Sequence, residues 1–485
     1  MLSRPITLAL CAAAGMVFFA LVMFRGITPI WLFNQGESGL WIDDAVRVLH
    51  GEVMYRDFFE FLAPGVVYVN ALLIAVLGSS AASAMLIPLL VGTAITVLMG
   101  HLSSKLLRGS WQIAPPLFFA VVVYPSYTLG NHKWLTWFFA LAAIDLVVTG
   151  VVTSSVTARR ALLAGVLIGA AAMCTQDMGA ALALGMLIAI WRRTGVRGRL
   201  SFLTGTLIVP LAALLYFTSK AGFATMWYDL IVFPLTRYGN VNGGFSLGEP
   251  ASVLHVPRIV LLWAASLVGC AAAIVAIVRR NLNVWAFIVY PGLAVVIFGS
   301  AVRAVEPVQM AVRCSLLLIV AVKAIEELPP RVAKVIAAAF AIGIIYVGGA
   351  LVASRQLRPR PLVHTRAGDI RLMEPCPEIE WLQAHAAPGE AVFLFPDEGG
   401  LLFLTHTRNA TTYPSLQDMR FSTNSQIDDA IAQLDRQRPR IGIFDPKRLF
   451  SGSEPQASSL APLYRFIDAR YDMIEGKYFV LRARH

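Results

Sequence analysis

The sequence predicts a polytopic all-α membrane domain followed by a soluble α/β domain, and three observations carry that reading. The first is composition: of 485 residues, 57% are apolar and 14% charged, with a mean hydropathy of +0.67. An ordinary soluble chain carries about 25% charged residues, so this one has too few polar side chains to cover a water-facing surface. The second is a recurrence of apolar runs of about 17 to 25 residues, the length that crosses a hydrocarbon core, from Leu8 to Val352. The third is where they stop. Arg355, Arg358, Arg360, Arg366 and Arg371 arrive in quick succession, and the roughly 130 residues that remain are enough to bury a core of their own.

The chain therefore divides into residues 1–353, a membrane domain, and 354–485, a soluble extracytoplasmic domain. The net charge of +11 does not indicate a nucleic-acid partner, because Lys and Arg cluster in short loops between apolar runs, where topology signals belong. Five cysteines (Cys11, Cys174, Cys270, Cys314, Cys376) are odd in number and form no C-x-x-C pair, so neither a disulfide framework nor a zinc knuckle follows. The run after Arg4 has no convincing cleavage site and reads as the first span.

With the N-terminus in the cytoplasm, about eleven crossings fit, near 8–28, 83–104, 113–130, 134–152, 160–174, 178–191, 200–219, 257–278, 284–302, 308–322 and 332–353. The cytoplasmic loops then hold most of the bases and the opposite loops nearly all the acids, the positive-inside pattern. Gly65 to Leu77 is too short to cross and is expected to lie in the interface. The run around Thr175-Gln176-Asp177 is expected to split into two short, tilted crossings. Asp145 sits within a span with no partner identifiable from sequence. The outer side gathers the chemistry: residues 29–82, 131–133, 175–177, 220–256, 303–307 and the tail.

In the tail, Glu378–His385 and Ile427–Leu434 read as helices, the latter capped by Asn424 or Ser425. Ala391–Phe395 and Arg440–Phe444 read as strands, and Tyr471–Ile474 with Tyr478–Leu481 as a hairpin. It contains no G-x-G-x-x-G, G-x-S-x-G, H-E-x-x-H or P-loop, hence no catalytic motif of its own.

The first outer loop is the informative segment. Residues 39–50 read as an amphipathic helix, with Ser38 as N-cap and Gly51 as its stop. Trp41, Ala45, Val48 and Leu49 form its apolar side; Asp44 and Arg47 project together from the other, flanked by Asp43. A surface helix with solvated or ion-paired acids is the plain alternative. Against it stand six acids (Glu37, Asp43, Asp44, Glu52, Asp57, Glu60) packed between a spanning and an interfacial helix, the setting a base needs in a site that excludes bulk water.

The pattern Asp43-Asp44, then Gly51-Glu52-Val53-Met54-Tyr55-Arg56-Asp57, then Pro64-Gly65 and an apolar stretch ending at Leu77-Gly78, resembles the first outer loop of GT-C-type membrane glycosyltransferases. That superfamily includes the protein O-mannosyltransferases and the lipid A aminoarabinose transferases. The resemblance implies a GT-C-like multi-pass enzyme of the inner (plasma) membrane. It would move a hexosyl or pentosyl group, with inversion, from a polyprenyl-phosphate-linked donor to a hydroxyl of a lipid, glycan or protein acceptor on the outer face. The family's base maps to Asp43, with Asp44 as its neighbour and alternate. Substrate-binding candidates are Arg47, Asp57, Glu60, His132, Lys133, Gln176, Asp177, Arg237, Tyr238, Arg303, Glu306 and Arg313. Contact with the donor phosphate stays open among Lys133, Arg237, Arg303 and Arg313. No cofactor is required by any motif; a divalent metal among His132, His255 and Glu60 stays open without supporting ligand spacing. A transporter or flippase of lipid-linked glycans is the alternative of another class, but it would carry polar residues along a path through the midplane, whereas here they gather on one side. A scaffold with inert loop acids is a third.

Overall fold

The computed structural model describes residues 4–31, 37–128, 132–153, 155–237, 255–280, 282–302, 305–395, 399–416, 422–444, 460–475 and 478–482. Helix α1 (Arg4–Met23) ends earlier than residue 28, where the first crossing was expected to stop. Gly26, at φ +63°, turns the chain, and Pro29 has no N–H with which to continue a helix. A short hairpin of β1 (Phe24–Arg25) and β2 (Thr28–Trp31) forms instead.

Then come α2 (Glu37–Leu49), α3 (Gly65–Leu77) and α4 (Ala81–Leu106). Helix α5 (Ala114–Phe118) lies inside an irregular helical stretch, with 3-10 turns at Gly109–Ile113 and Tyr124–Ser126 and a π-turn at Phe119–Val123. Four longer helices follow: α6 (His132–Thr153), α7 (Ala158–Cys174), α8 (Gln176–Trp191) and α9 (Val196–Ala221). Next, α10 (Phe223–Trp227) runs through a π-turn, Tyr228–Val232, into α11 (Phe233–Thr236). The membrane part closes with α12 (Val256–Val278), α13 (Ala286–Val302), α14 (Pro307–Arg313), α15 (Leu317–Glu326) and α16 (Pro330–Gln356).

Among the described residues, seven helices are long and apolar enough to cross a membrane, or eight if α14 and α15, bent by 84° at their junction, form one span. The other crossings expected from sequence fall on the irregular α5 stretch and on α7 and α8, at 17 and 16 residues. Helices α7 and α8 do break at Thr175, whose backbone is extended. A side chain at Gly179 would sit 2.1 Å from the Cα of Ala172. Residues seven apart in one continuous helix are about 10 Å apart, so the chain folds back on itself here.

Asp145 has the partners that the sequence does not reveal. Its carboxylate takes a hydrogen bond from Lys105 Nζ at 2.6 Å and lies 3.1 Å from His101 Nδ1, tying α6 to the end of α4.

The tail carries two sheets. In the first, β2 pairs in parallel with β4 (Gly368–Leu372), which pairs antiparallel with β3 (Leu362–Thr365), so residues just after α1 share a sheet with residues just after α16. The second has the order β6-β5-β7-β9-β8. Its parallel core is β5 (Ala391–Phe395), β6 (Arg408–Asn409) and β7 (Ile441–Phe444), extended by the expected hairpin of β8 (Tyr471–Ile474) and β9 (Tyr478–Leu481). Helices α17 (Pro377–His385), α18 (Gly399–Thr405), α19 (Asn424–Gln437) and α20 (Ala461–Arg470) complete it. The cap of α19 is Thr423, not Asn424 or Ser425: its hydroxyl accepts from the Gln426 N–H while the Gln426 side chain reaches back to the Thr423 N–H.

One contact positions the first outer loop. Helix α18 lies against α2, and a Cβ on Gly39 would meet the backbone N of Gly400 at 2.6 Å. Backbone cannot swing aside as a side chain can, so Gly39→Ala is expected to cost about 1 to 3 kcal/mol through overpacking. Gly349→Ala in α16, where nothing lies within 4 Å, should be neutral or gain about 0.5 to 1 kcal/mol of helix propensity. Thermal unfolding of the two variants in one detergent reads the difference. In the same assay Asp145→Asn, which leaves the buried Lys105 ammonium without its carboxylate, should cost about 3 to 5 kcal/mol, and replacing both partners by apolar residues should recover much of it.

Candidate active site

Helix α2 begins two residues before the expected start, and Gly51, at φ +92°, ends the turn beyond it. Its acids are not solvated. Asp43 is 6% exposed, Asp44 0% and, from the same loop, Glu60 3%. That burial departs from solvated acids, while Arg47–Glu52 and Arg56–Asp57 are the ion pairs the plain alternative expects. Trp41, Ile42 and Ala45 bury beside the acids, so α2 is wrapped on more than its apolar side.

Arg47 lies one turn after Asp43, and it holds the loop. Its Nε donates to the Glu52 carboxylate at 2.7 Å, its Nη2 to the Asp57 carbonyl at 3.2 Å, and its guanidinium stacks 4.5 Å over the Phe58 ring. Burial pushes the Asp43 carboxyl up to about 7, against the pull of Arg47 and with Glu52 adding to the push. Desolvation exceeds the charge attraction because the Arg47 charge is already shared with Glu52.

Asp57 has the opposite environment. Its carboxylate accepts from Arg56 at 2.9 and 2.7 Å and from the Val53 N–H at 2.6 Å, and the Arg56 bond holds it below the usual carboxylate range. It is a loop-closing residue. Glu60 Oε1 accepts from the N–H groups of Phe61 and Leu62 at 2.8 and 2.9 Å. Gln176 Nε2 donates to the Phe61 carbonyl at 3.2 Å, bringing the α7–α8 bend against the loop, while Asp177 Oδ1 accepts from the Met178 N–H.

The cations gather beside a different element. His132 is buried, its ring edge-on to Trp41 at 5.9 Å, which joins α6 to α2. Lys133, also buried, donates to Gln309 Oε1 at 2.7 Å and lies 4.9 Å over the Tyr127 ring. Gln309 and Arg313 are one turn apart on α14, where side chains share a face. Arg313 is buried in the space left by Gly299, with Nη1 3.4 Å from Ser300 Oγ. Two buried cations thus flank α14, which is tied to α6 again by Trp137 Nε1 to the Val312 carbonyl at 2.8 Å. Glu306 precedes α14, half-buried, its carbonyl accepting from the Met310 N–H. Arg237, exposed at the end of α11, is not drawn into this group, and Tyr238 and Arg303 lie outside the described residues.

Among the described residues, no three His, Cys, Asp or Glu side chains are arranged to hold a metal ion. One acid escaped the sequence reading: Asp229, on the π-turn between α10 and α11, is 4% exposed, and burial pushes it up to about 7. Its signal was a single carboxylate inside the otherwise apolar and aromatic run from Met226 to Pro234.

No protein-family model and no curated protein sequence matches the chain. Solved structures do. ArnT from Cupriavidus metallidurans bound to undecaprenyl phosphate aligns with a TM-score of 0.57 at 12% identity, over 98% of this chain and 97% of that one. The archaeal oligosaccharyltransferase AglB from Archaeoglobus fulgidus, in complex with an inhibitory peptide and a dolichol-phosphate, aligns with a TM-score of 0.56 at 10% identity, over 98% of this chain and 74% of that one. The fold expected from the first outer loop is thereby established: this chain has the GT-C fold of those membrane glycosyltransferases.

Proposed function

We propose that the chain is a glycosyltransferase of the inner membrane that moves a sugar from a polyprenyl-phosphate donor to an acceptor hydroxyl on the outer face, with inversion and Asp43 as general base. The observation that carries this is the buried Asp43 carboxyl on α2, with a proton affinity near neutrality. A base with a pKa near the working pH combines a useful ionised fraction with real driving force for taking a proton. The leaving group is a phosphate, which needs no proton, whereas the attacking hydroxyl must lose one. A base without a matching acid is therefore sufficient.

Two features support the donor. Buried Lys133 and Arg313 beside α14 offer the positive charge that a departing phosphate requires. Both aligned structures contain a polyprenyl phosphate. The Trp41–His132 contact at 5.9 Å ties α2, which carries Asp43, to the start of α6, which carries Lys133, so base and cation belong to one packed unit. Arg47, Asp57 and Gln176 shape the loop rather than hold substrate. The tail lies outside the cytoplasm in this reading, with the membrane domain at 1–353 and the soluble domain at 354–485.

The test is sugar transfer by purified protein in nanodiscs with a panel of radiolabelled polyprenyl-phosphate sugars. Asp43→Asn should lose about 10²- to 10⁴-fold in turnover while remaining folded. Since the Asp43 carboxyl is protonated below about 7, kcat/KM of the native enzyme should climb with pH up to about 7 and level off above it. Loss confined to Asp44→Asn would move the base by one residue. Movement of lipid-linked substrate across the bilayer without donor consumption would replace the transferase with a transporter.

A further inference from the structure

An apolar cleft of about 350 Å³ lies between α5, α12, α15 and α16, with the 3-10 turn Gly109–Ile113 at one end. Apart from the Ser110 hydroxyl and the Trp111 ring nitrogen, the side chains on its wall are aliphatic or aromatic. Small residues leave the room: Ala265 on α12, Ala321 on α15, and Ala337 and Ala341 on α16 all line it. Phe118 packs on Phe340 at 5.9 Å between ring centres, joining α5 to α16. Leu117 and Ile345, both on the wall, are also exposed, so the cleft opens sideways onto the outer surface of the helices. Water finds no partners on such a wall, and an empty space forfeits contacts on every side. In a bilayer, a hydrocarbon chain fills it.

The two ends of the cleft differ. Helix α4 starts beside the tail, where the Ala81 N–H donates to the Ala367 carbonyl at 2.8 Å, and its 26 residues carry the chain about 39 Å away before Arg108. Helix α16 runs the other way, from Pro330 to Gln356, and leads into β3 of the tail. Ser110, Trp111, Ile325 and Ile336 therefore mark the end remote from the tail, and three exposed bases stand there: Arg108, Arg331 and Lys334. The Arg108 carbonyl accepts from the N–H of Trp111, on the wall, at 3.1 Å. Lys334 continues the stripe of Ala337, Ala341 and Ile345 one turn back along α16, and Arg331 lies a turn earlier still. Helical side chains lean toward the N-terminus, which carries both charged heads beyond the end of the cleft. None of the three bases forms an ion pair among the described residues. The acids of α15, Glu326 and Glu327, are both held by Lys323, at 3.3 and 3.4 Å.

We infer that this cleft binds an anionic glycerophospholipid from the leaflet remote from the tail, with one acyl chain in the cleft and the headgroup phosphate against Arg108, Arg331 and Lys334. Charge selects the occupant. A zwitterionic lipid would bring the same chain but no net charge to three unpaired bases. A polyprenyl phosphate carries a negative head, but the cations assigned above to the donor phosphate lie beside α14 and at the start of α6, next to α2 and at the other end of the membrane helices. The inference stands whether or not the chain is a transferase.

The experiment is native mass spectrometry of the full chain, released from detergent after titration with phosphatidylglycerol, with phosphatidylcholine of the same chains, and with a long-chain polyprenyl phosphate. One phosphatidylglycerol per chain should be retained, at a concentration about tenfold below that needed for phosphatidylcholine. Arg331→Gln combined with Lys334→Gln should erase that preference, whereas Arg159→Gln, an exposed base on α7, which does not border the cleft, should leave it unchanged. Ala337→Phe or Ala341→Phe, which fills the cleft, should abolish retention, with thermal unfolding verifying each variant. A photoreactive acyl chain, which needs no substitution, should label α15 and α16 on the cleft wall. Equal retention of the two phospholipids, a preference that survives the loss of Arg331 and Lys334, retention unaffected by filling the cleft, or labelling elsewhere would each overturn the proposal. Displacement of phosphatidylglycerol by equimolar polyprenyl phosphate would overturn it as well, by giving the cleft to that lipid.

Discussion

The seat of Asp43 depends on a backbone contact with no side chain in it: Gly39 at the start of α2 against Gly399 and Gly400 at the start of α18. A helix of 13 residues has little stability of its own and takes its position from what it packs on. On one side that is α3; on the other it is the tail. Asp43 is four positions after Gly39, barely more than one turn, so the depth at which α18 seats α2 sets the depth of the carboxyl. The tail, devoid of a catalytic motif, is in this sense part of the site. The parallel pairing of β2 with β4 fastens the same region a second time, just before α2 begins.

Two kinds of acid follow from this arrangement. Asp57 and Asp145 have found cations or backbone donors, and their job is to close a loop or join two helices. Asp43 and Asp229 are buried at least as deeply, yet no hydrogen bond to either carboxyl is formed among the described residues, and both are pushed toward neutrality. For Asp43 the competition is visible, since Arg47 lies one turn away and still loses to desolvation. The reason is that Arg47 is already engaged by Glu52, the Asp57 carbonyl and the Phe58 ring. A cation shared among three partners stabilises a fourth only weakly.

That competition also explains what was legible in the sequence. Hydropathy located the long helices, because lipid exposure demands continuous apolar runs, and turn chemistry located the β8–β9 hairpin. The end of α1 was not legible: Phe24, Ile27, Ile30 and Trp31 look like more of the same span, and the parallel partner that makes β2 a strand lies over 300 residues away. The spacing Asp43-Asp44 to Asp57 located the loop, but it could not divide the work among its charges. Arg47 and Asp57 read as substrate ligands, and the structure engages the Arg47 guanidinium with Glu52 and the Asp57 carbonyl, and the Asp57 carboxylate with Arg56, contacts that sequence spacing does not reveal. Asp229 was hidden by its neighbours: among Trp227, Tyr228, Leu230, Ile231 and Phe233 a single carboxylate has no spacing partner to mark it.

Under the proposed function, the two substrates would meet different materials. The cations flank α14, a seven-residue helix whose path breaks by 84° before α15. Arg313 closes α14 one turn after Gln309, which accepts from Lys133 Nζ at 2.7 Å, so both cations meet the same short helix. A phosphate on a membrane-anchored donor would thus be held by membrane helices alone. Asp43 lies on α2, seated between α3 and α18, and the Phe59 N–H bonded to the Thr412 carbonyl at 2.8 Å joins the same loop to the tail again. In such a site the lipid donor would enter from the bilayer, and the acceptor would reach Asp43 on α2 from the side that the tail bounds.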